Sequence, residues 1–322
     1  MSEIVRLSAV IGYGIRKGVI MIRTSSELVL NAWNAGTVIP AFNIPYVPMM
    51  EPVVCALRDT CTFGLIQVAR LEWTKFEAKS LKTIRDEYER VKDLRHTRLH
   101  LDHVPVIDED NFTVNYEPII AEAIELGYQS VMIDGSRLPL EENIAAAAKV
   151  VKMAHAAGIA VEAELGAVLG HEAGPLPPYE ELFASGKGFT DPEQARRFVL
   201  ETGLDWLSVA IGNIHGAISG AAKDRKKIEA RLNIEHLDRI RESTSVPLVL
   251  HGGSGINKDC LGEGIRHGIA KINIATTIRQ AYERASEESV EKAQEEVYDA
   301  TVRLLTEELE ISGSADIINP QD

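Results

Sequence analysis

The stretch Val246-Pro-Leu-Val-Leu-His-Gly-Gly-Ser-Gly255 contains a short apolar run that ends in a histidine and a glycine-rich turn. The run does not alternate between apolar and polar residues, which is typical of a parallel strand buried on both faces. Most of the other short apolar runs in the chain have the same character. Together they give eight candidate strands: Val38–Ile44, Gly64–Ala69, Arg98–His103, Ser130–Asp134, Ala160–Leu165, Trp206–Ile211, Pro247–His251 and Ala270–Ala275.

Helical patterns separate these strands. Residues 115–127 and 141–158 have apolar side chains at helical spacing, and each stretch ends at a glycine. Asp191 and Pro192 supply an N-cap and a proline at the first helical position of another helix. Eight strand-then-helix units in 322 residues favour a closed barrel over an open sheet. We therefore predict an α/β fold, a (β/α)8 TIM barrel.

Two further segments extend this barrel. Ser25-Ser26-Glu27 opens an extra helix that runs to about residue 34, before the first strand, where it could close the bottom of the barrel. After the eighth strand, Ile278–Ile311 is a long, charged helical region. We expect an N-terminal extension over residues 1–24 and a single barrel domain over residues 25–322, which includes the C-terminal helices.

The composition narrows the possible partners. The formal net charge is -14, from 48 acidic and 34 basic residues, so binding to nucleic acid or to an anionic membrane is not expected. No apolar run is long enough to span a bilayer, and the N-terminus lacks a clear signal peptide. The three cysteines have no metal-type spacing, which suggests reduced thiols and a cytoplasmic location.

Three histidines fall at or just beyond the carboxyl ends of three candidate strands: His103, His215 and His251. Barrel enzymes place their active sites at this end of the strands, so the three imidazoles could converge although they are far apart in sequence. Three imidazoles with one open position form a catalytic metal site that suits zinc, among other divalent cations.

Two turns beside these histidines can bind an anion. Gly252 and Gly253 allow backbone N–H groups to approach an anion closely, and Ser254 adds a hydroxyl donor. Thr276 follows the eighth candidate strand and can meet a phosphate at the N-terminus of the next helix. The loops after strands seven and eight are the usual phosphate site of such barrels.

The sequence resembles the class II, metal-dependent ketose-bisphosphate aldolases, which are the fructose- and tagatose-bisphosphate aldolase family. The resemblance runs from about residue 25 to about residue 284. The residues that carry it are Pro40-Ala-Phe-Asn43, His100-Leu-Asp-His103, Val131-Met-Ile-Asp134, Val161-Glu-Ala-Glu-Leu-Gly166, Gly212-Asn-Ile-His-Gly216, His251-Gly-Gly-Ser-Gly255 and Lys271-Ile-Asn-Ile-Ala-Thr276.

The resemblance implies a role for each matching residue. The implied metal-site residues are His103, His215 and His251, with the carboxylates of Glu164 and Asp134 nearby. The implied substrate- and phosphate-binding residues are Asn43, Gly216, Gly252, Gly253, Ser254, Asn273 and Thr276. Asp102 matches the acid/base that handles the proton of the reacting hydroxyl. Glu172, in the loop Gly170-His-Glu-Ala-Gly174, matches the residue that moves the enolate proton.

The implied activity is that of a lyase in carbohydrate metabolism. It is the reversible retro-aldol cleavage of a phosphorylated ketose to dihydroxyacetone phosphate and an aldehyde. A divalent cation, zinc by preference, would stabilise the enediolate as a Lewis acid. Members of this family are commonly homodimers or larger homo-oligomers, and their partner is a small phosphorylated sugar.

Several positions depart from the family pattern. Val104 stands where a second histidine is frequent, and Ala69 stands where many members carry serine. Ala275 is typical of tagatose-type members rather than fructose-type ones. The segment 70–93 has little family character. Arg279 is the best candidate for binding a second phosphate, although a solvated helix charge explains it equally well.

Three alternatives stay open at the level of sequence. Lys271 on the eighth candidate strand could form a Schiff base, as in a metal-independent aldolase. The substitutions at Ala69 and Val104 are compatible with a non-catalytic barrel that binds metal or phosphosugar. A hydrolase that uses metal-activated water has support from the fold only.

Overall fold

The computed structural model describes residues 22–166, 168, 178–214, 230–253 and 256–321. In these residues eight parallel strands pair in sequence order, and the eighth strand pairs with the first to close a barrel. The predicted TIM barrel is therefore confirmed. The strands are β1 (Ile39–Asn43), β2 (Gly64–Ala69), β3 (Thr97–Pro105), β4 (Ser130–Asp134), β5 (Ala160–Leu165), β6 (Trp206–Val209), β7 (Leu248–Leu250) and β8 (Ile269–Ile274).

Helices follow the strands and form the outer layer. They are α1 (Ser25–Ala35), α2 (Met50–Asp59), α3 (Arg70–Thr74), α4 (Leu81–Val91), α5 (Tyr116–Glu125), α6 (Leu140–Ala156), α7 (Tyr179–Ser185), α8 (Pro192–Thr202), α9 (Ile234–Thr244), α10 (Lys258–Arg266), α11 (Thr276–Ser286), α12 (Val290–Arg303) and α13 (Ala315–Ile318). A 3₁₀ turn at Val47–Met49 precedes α2, and a π-helical turn at Leu304–Glu308 extends α12. No described helix is both long enough and apolar enough to cross a bilayer.

The strands have the burial that their sequences predict. In β1, β2, β5 and β8 every residue is buried, because each strand has the barrel interior on one side and helices on the other. Predicted and observed strand ends agree to within two residues in all eight strands. The apolar strand faces and the inward faces of the helices form one continuous core.

Helix α1 closes the end of the barrel at which the strands begin, as predicted. Thr24 and Glu27 form a capping box that fixes the start of this helix. Leu28, Val29 and Ala32 are fully buried in a second apolar cluster, which includes residues from the first half of several strands. The opposite end of the barrel, where the strands finish, is left for the candidate site.

The predicted C-terminal helical region consists of α11 and α12, followed by the π-helical turn. Ser289 accepts a hydrogen bond from the backbone N–H of Lys292 (3.0 Å) and so caps a new helix, α12. Helix α12 packs against α2 and α11, and Val297 and Thr301 are fully buried there. The Ser289 hydroxyl accepts from a backbone N–H that has no partner within the first turn of α12, so the chain can end α11 and begin a new helix there.

Two glycines provide a matched test of how the barrel packs near the site. Gly166 after β5 has φ +98°, and an added Cβ would lie 2.6 Å from Thr190 Oγ1. Gly158 before β5 has φ +71°, and an added Cβ would meet nothing within 4 Å. We expect Gly158→Ala to cost about 1–2 kcal/mol of backbone strain and Gly166→Ala about 2–5 kcal/mol, because the steric clash adds to that strain.

Urea unfolding of the two variants measures this difference in free energy. Equal losses of stability in Gly166→Ala and Gly158→Ala would contradict the close contact between Gly166 and Thr190.

Candidate active site

The carboxyl ends of the strands bring most of the described candidate residues together. Asn43 is the last residue of β1, Asp134 is the last residue of β4, and His251 follows β7 directly. Glu164 and Asn273 are the penultimate residues of β5 and β8. The closed barrel therefore brings residues from six strands, including Asp102 and His103 on β3, together at one rim.

His103 is held by a carboxylate of the neighbouring strand. Its Nδ1 lies 3.1 Å from Oδ2 of Asp134, whose other oxygen accepts hydrogen bonds from the backbone N–H and hydroxyl of Ser136. Burial opposes ionisation of Asp134, but the hydrogen bonds from His103 and Ser136 hold its pKa well below the usual value. Burial would likewise lower the pKa of His103, yet the adjacent Asp102 and Asp134 raise it to about 10.

His251 lies against His103 and is held on both of its ring nitrogens. The ring centroids of the two histidines are 4.5 Å apart. His251 Nε2 lies 2.8 Å from Oε1 of Glu162, and His251 Nδ1 lies 2.9 Å from Oε2 of Glu164. The backbone carbonyl of His251 accepts a hydrogen bond from the side chain of Asn213 (3.0 Å), which ties the turn after β6 to this position.

These side chains fit a divalent cation. Ligand atoms of His103, Asp134 and Glu164 lie within 4.8 Å of one another, and so do those of Asp102, His103 and His251. Imidazole nitrogens and carboxylate oxygens together are a donor set that zinc accepts. His103 and His251 each have a ring nitrogen beside a carboxylate, as is usual for metal-binding histidines. The excess of negative charge in this cluster favours a bound cation.

Asp102 is held by one amide on each of its carboxylate oxygens. Asn43 Nδ2 donates to Oδ2 (2.9 Å), and Asn273 Nδ2 donates to Oδ1 (3.0 Å). The side chain is almost fully buried, which opposes ionisation, but the nearby His103 and Lys271 lower its pKa below the usual value. Gln67 in turn donates to the Asn43 amide oxygen (2.8 Å), so that Asn43 has a fixed orientation.

A layer of buried polar side chains lies directly below this rim. It is formed by Glu162, Lys271 and His100, each two residues before a rim residue and each fully buried. Burial opposes ionisation of Glu162, but Lys271 and His251 hold its pKa well below the usual value. The sequence analysis did not identify Glu162, although alternation along a strand places it on the same face as Glu164 and so offered a signal.

Glu72 is a second residue that the sequence analysis did not identify. It is 6% exposed, and its Oε2 accepts the backbone N–H of Ala69 (2.8 Å) at the end of β2. Burial raises the pKa of Glu72 to about 8, and the negative charge of Asp102 adds to the shift. No family signal could identify this residue, because it lies in the segment 70–93 that has little family character.

The two candidate phosphate turns follow β7 and β8. Gly252 has φ +68°, which favours glycine, and an added Cβ at Gly253 would lie 2.4 Å from Ile272 Cδ1. Thr276 is the first residue of α11, as predicted. Arg279 on the same helix is buried, and its Nη1 makes an ion pair with both carboxylate oxygens of Glu283 (2.8 and 2.7 Å). It is therefore not the solvated charge that the alternative reading assumed.

Four of the predicted site residues lie outside the described residues. They are the candidate ligand His215, the loop acid Glu172, and the phosphate-site residues Gly216 and Ser254. Their assigned roles, like the roles of the residues described above, stay predictions. Among the described residues, the structure brings His103, His251, Asp102, Asp134 and Glu164 into one cluster.

Known sequences resemble this chain over most of its length. A family model for class-II fructose-bisphosphate aldolase matches residues 23–316. A Bacillus subtilis (strain 168) protein described as "Probable fructose-bisphosphate aldolase" is 32% identical over 256 residues, which is 78% of this chain and 80% of the relative. A fructose-bisphosphate aldolase of Streptococcus pyogenes serotype M1 is 40% identical over 191 residues. The matched segment is 59% of this chain but only 56% of the streptococcal protein.

Solved structures show the same barrel. The YdjI aldolase from Escherichia coli K12 superposes with a TM-score of 0.70 at 27% identity, covering 92% of this chain and 100% of that chain. The fructose-bisphosphate aldolase of Campylobacter jejuni superposes with a TM-score of 0.66, covering 89% of this chain and 94% of that one. At 19% identity, the second likeness is one of fold alone.

The buried carboxyl of Glu72 predicts a pH dependence of stability. Its folded pKa of about 8 is above the ordinary value of 4.5, so between these two values the unfolded chain has lost the proton and the folded chain keeps it. Stability therefore falls as pH rises through this window, by at most about 1 kcal/mol per pH unit from this group. We expect Glu72→Gln to remove this part of the pH dependence.

The measurement is denaturant unfolding of the chelator-treated wild type and variant from pH 4.5 to pH 8. The free-energy difference between them should grow in favour of Glu72→Gln as the pH rises. A difference that stays constant over this range would show that Glu72 ionises normally.

Proposed function

The chain belongs to the class II fructose-bisphosphate aldolase family, and we propose that it is a metal-dependent aldolase acting on a phosphorylated ketose. The proposed reaction is the reversible cleavage of the sugar to dihydroxyacetone phosphate and an aldehyde. The observation that carries the proposal is the position of Asp102, a buried and ionised carboxylate beside a cluster of imidazoles and carboxylates that fits a divalent cation.

Asp102 is built to exchange a proton with a substrate hydroxyl. Each carboxylate oxygen accepts one amide hydrogen bond, so each has a remaining lone pair for a hydroxyl proton. Its lowered pKa keeps it ionised at neutral pH, as a general base must be before cleavage. Asn43 and Asn273 orient the carboxylate, and in the reverse reaction Asp102 returns the proton to the new hydroxyl.

The cation site would be formed by His103 and His251, with Glu164 and Asp134 nearby and His215 as the third proposed imidazole. Zinc is our first choice of metal, because the site combines imidazole nitrogens with carboxylate oxygens. When bound, such a cation supplies Lewis-acid stabilisation of the negative charge that develops on the substrate oxygens.

The phosphate of the dihydroxyacetone half would bind beside β7 and β8. Gly252 has no side chain that would block the approach of a phosphate. The N-terminus of the 11-residue helix α11 at Thr276 adds a favourable dipole. Gly216 and Ser254 are proposed to complete this pocket. Glu172 is proposed to move the enolate proton.

The aldehyde half is proposed to lie towards β2 and α11. Arg279 is the described candidate for a second phosphate there, and it would have to leave Glu283 or share its guanidinium with it. Because Arg279 is already paired with Glu283, we propose that a ketose with a single phosphate, at the dihydroxyacetone end, is cleaved at least as well as a bisphosphate.

The structure weighs against a Schiff-base mechanism at Lys271. The side chain is fully buried, its Nζ lies 2.9 Å from Oε2 of Glu162, and it donates to Oδ1 of Asn273 (2.6 Å). A Schiff-base lysine must present an uncharged amine to the substrate, whereas the ion pair with Glu162 stabilises the ammonium form. Lys271 therefore has a different task in this site.

A cleavage screen tests the proposed function. Fructose and tagatose bisphosphates and the corresponding 1-phosphates would be incubated with the protein, and the release of dihydroxyacetone phosphate would be followed. We expect cleavage of at least one of these sugars, loss of activity with a chelator and recovery with zinc. Cleavage that resists the chelator, or covalent trapping of substrate by borohydride, would reject the metal-dependent mechanism.

The role of Asp102 is tested by Asp102→Ala. We expect zinc binding to persist and cleavage to fall by about 10²–10⁴-fold, the usual contribution of a general acid or base. Asp110→Ala is the matched control, because it removes an exposed carboxylate that makes a surface ion pair with Lys75. Steady-state kinetics with parallel zinc analysis provide the measurement. Activity of the Asp102→Ala variant at the level of the control would reject the assignment.

A further inference from the structure

We propose that Glu162, held in a buried ion pair with Lys271, is a positioning residue that holds His251 with its Nδ1 turned towards the candidate cation site. The inference rests on the proposed metal site, and it assigns a task to a buried ion pair that the proposed reaction does not itself use. Glu162 lies below the rim on β5 and has no access to the substrate, so it would act through His251.

The geometry assigns different partners to the two nitrogens of His251. Nε2 lies 2.8 Å from Oε1 of Glu162, deep in the barrel, whereas Nδ1 faces Glu164 at 2.9 Å and the cluster with His103. A carboxylate accepts but does not donate, so each contact favours a proton on the nitrogen that faces it. A cation bound at the candidate site would take the place of the proton on Nδ1, whereas Glu162 lies below the rim and keeps the proton on Nε2. The lone pair of a neutral His251 is then on Nδ1, which is the nitrogen that faces the candidate cation site.

Glu162 is placed to be a strong and permanent acceptor. Its Oε2 accepts a hydrogen bond from Trp206 Nε1 (2.6 Å) and makes the ion pair with Lys271 at 2.9 Å. Glu162, Lys271 and Trp206 are all fully buried, so water cannot replace any of these partners. The two contacts on Oε2 fix the carboxylate plane and leave Oε1 directed at His251.

The same pair reaches the proposed acid/base from the other side. Lys271 donates to the amide oxygen of Asn273 (2.6 Å), and this fixes which end of the amide faces Asp102. Asn273 Nδ2 then donates to Asp102. One buried ion pair thus orients a proposed metal ligand and the proposed acid/base at once, although neither Glu162 nor Lys271 lies at the rim.

A second cation below the first is a less suitable explanation of this cluster. Ligand atoms of His100, Asp102 and Glu162 lie within 4.8 Å of one another, which by itself resembles a metal site. Lys271 already contributes a positive charge there, bound directly to Glu162. The ammonium group satisfies the electrostatic requirement that a second metal ion would otherwise meet.

The test measures zinc affinity by competition with a chromophoric chelator, using zinc alone and no substrate. We expect Glu162→Gln to weaken zinc binding by about 10- to 100-fold, the range found when a carboxylate partner of a metal-binding histidine is removed. Glu162→Gln also leaves Lys271 without its buried counter-ion. The double variant Glu162→Gln with Lys271→Met removes that charge too, and we expect it to show the same loss.

Trp206→Phe is the matched control. It removes the hydrogen bond from Trp206 to Glu162 and part of a buried indole, but it leaves the contact between Glu162 and His251 intact. We expect thermal stability to fall while zinc affinity stays within about 3-fold of wild type, since the oriented acceptor is retained. The visible spectrum of the cobalt-substituted protein should likewise change in the Glu162 variants and not in this control.

Wild-type zinc affinity in the double variant would overturn the proposal, because the effect of Glu162→Gln would then be only that of an unpaired lysine. An equal loss of zinc affinity in Trp206→Phe would overturn it as well, since it would indicate general loosening of the barrel. Absence of zinc binding by the wild-type protein is a different outcome, and it would reject the proposed metal site itself.

Discussion

A charged group buried away from water is strongly destabilising unless another charge and several hydrogen bonds compensate it. The interior of most barrels avoids this cost by filling its layers with Val, Ile and Leu. In this protein the upper interior contains Glu162, Lys271 and Asp102 instead. Glu162 and Asp102 each have two or more partners from other strands, and Lys271 is paired across the barrel with Glu162, so the charges are compatible with folding only if the barrel closes in the observed register.

This requirement explains why the site is rigid at its base. Gln67 on β2 donates to Asn43 on β1, and Asn43 donates to Asp102 on β3. Asn273 on β8 donates to the other carboxylate oxygen of Asp102. The rim above them carries His103 and His251 in contact, each with a carboxylate neighbour. A preorganised set of ligands reduces the reorganisation needed when a cation binds, and it keeps Asp102 oriented for proton transfer.

Glu72 belongs to a short element at the rim rather than to the barrel itself. It lies on α3, directly after β2, and its carboxyl accepts the backbone N–H of Ala69. The helix that presents Glu72 is only one turn long. Such a short element can change between relatives without disturbing the barrel, which is how one fold accommodates different substrates at the same rim.

The sequence by itself determined the class of fold and much of the site. Apolar runs of strand length identified all eight strands, since a strand buried on both faces leaves a continuous signal. The order of His100-Leu-Asp-His103, Val161-Glu-Ala-Glu-Leu-Gly166 and His251-Gly-Gly-Ser-Gly255 indicated an aldolase because these segments follow strands in the family's order. The Ser25-Ser26-Glu27 and Asp191-Pro192 signals located the starts of α1 and α8 correctly, because such signals depend on neighbours within four residues.

Only the tertiary structure decided which polar groups pair inside the barrel. Glu162 and His251 are 89 residues apart, and Asn273 and Asp102 are 171 residues apart, so no local pattern could indicate either hydrogen bond. The ion pair of Arg279 with Glu283 has helical spacing, yet its burial depends on residues after β1 and β2 that pack over it. Local signals arise from the backbone and its nearest neighbours, whereas buried pairing depends on the closed register of all eight strands.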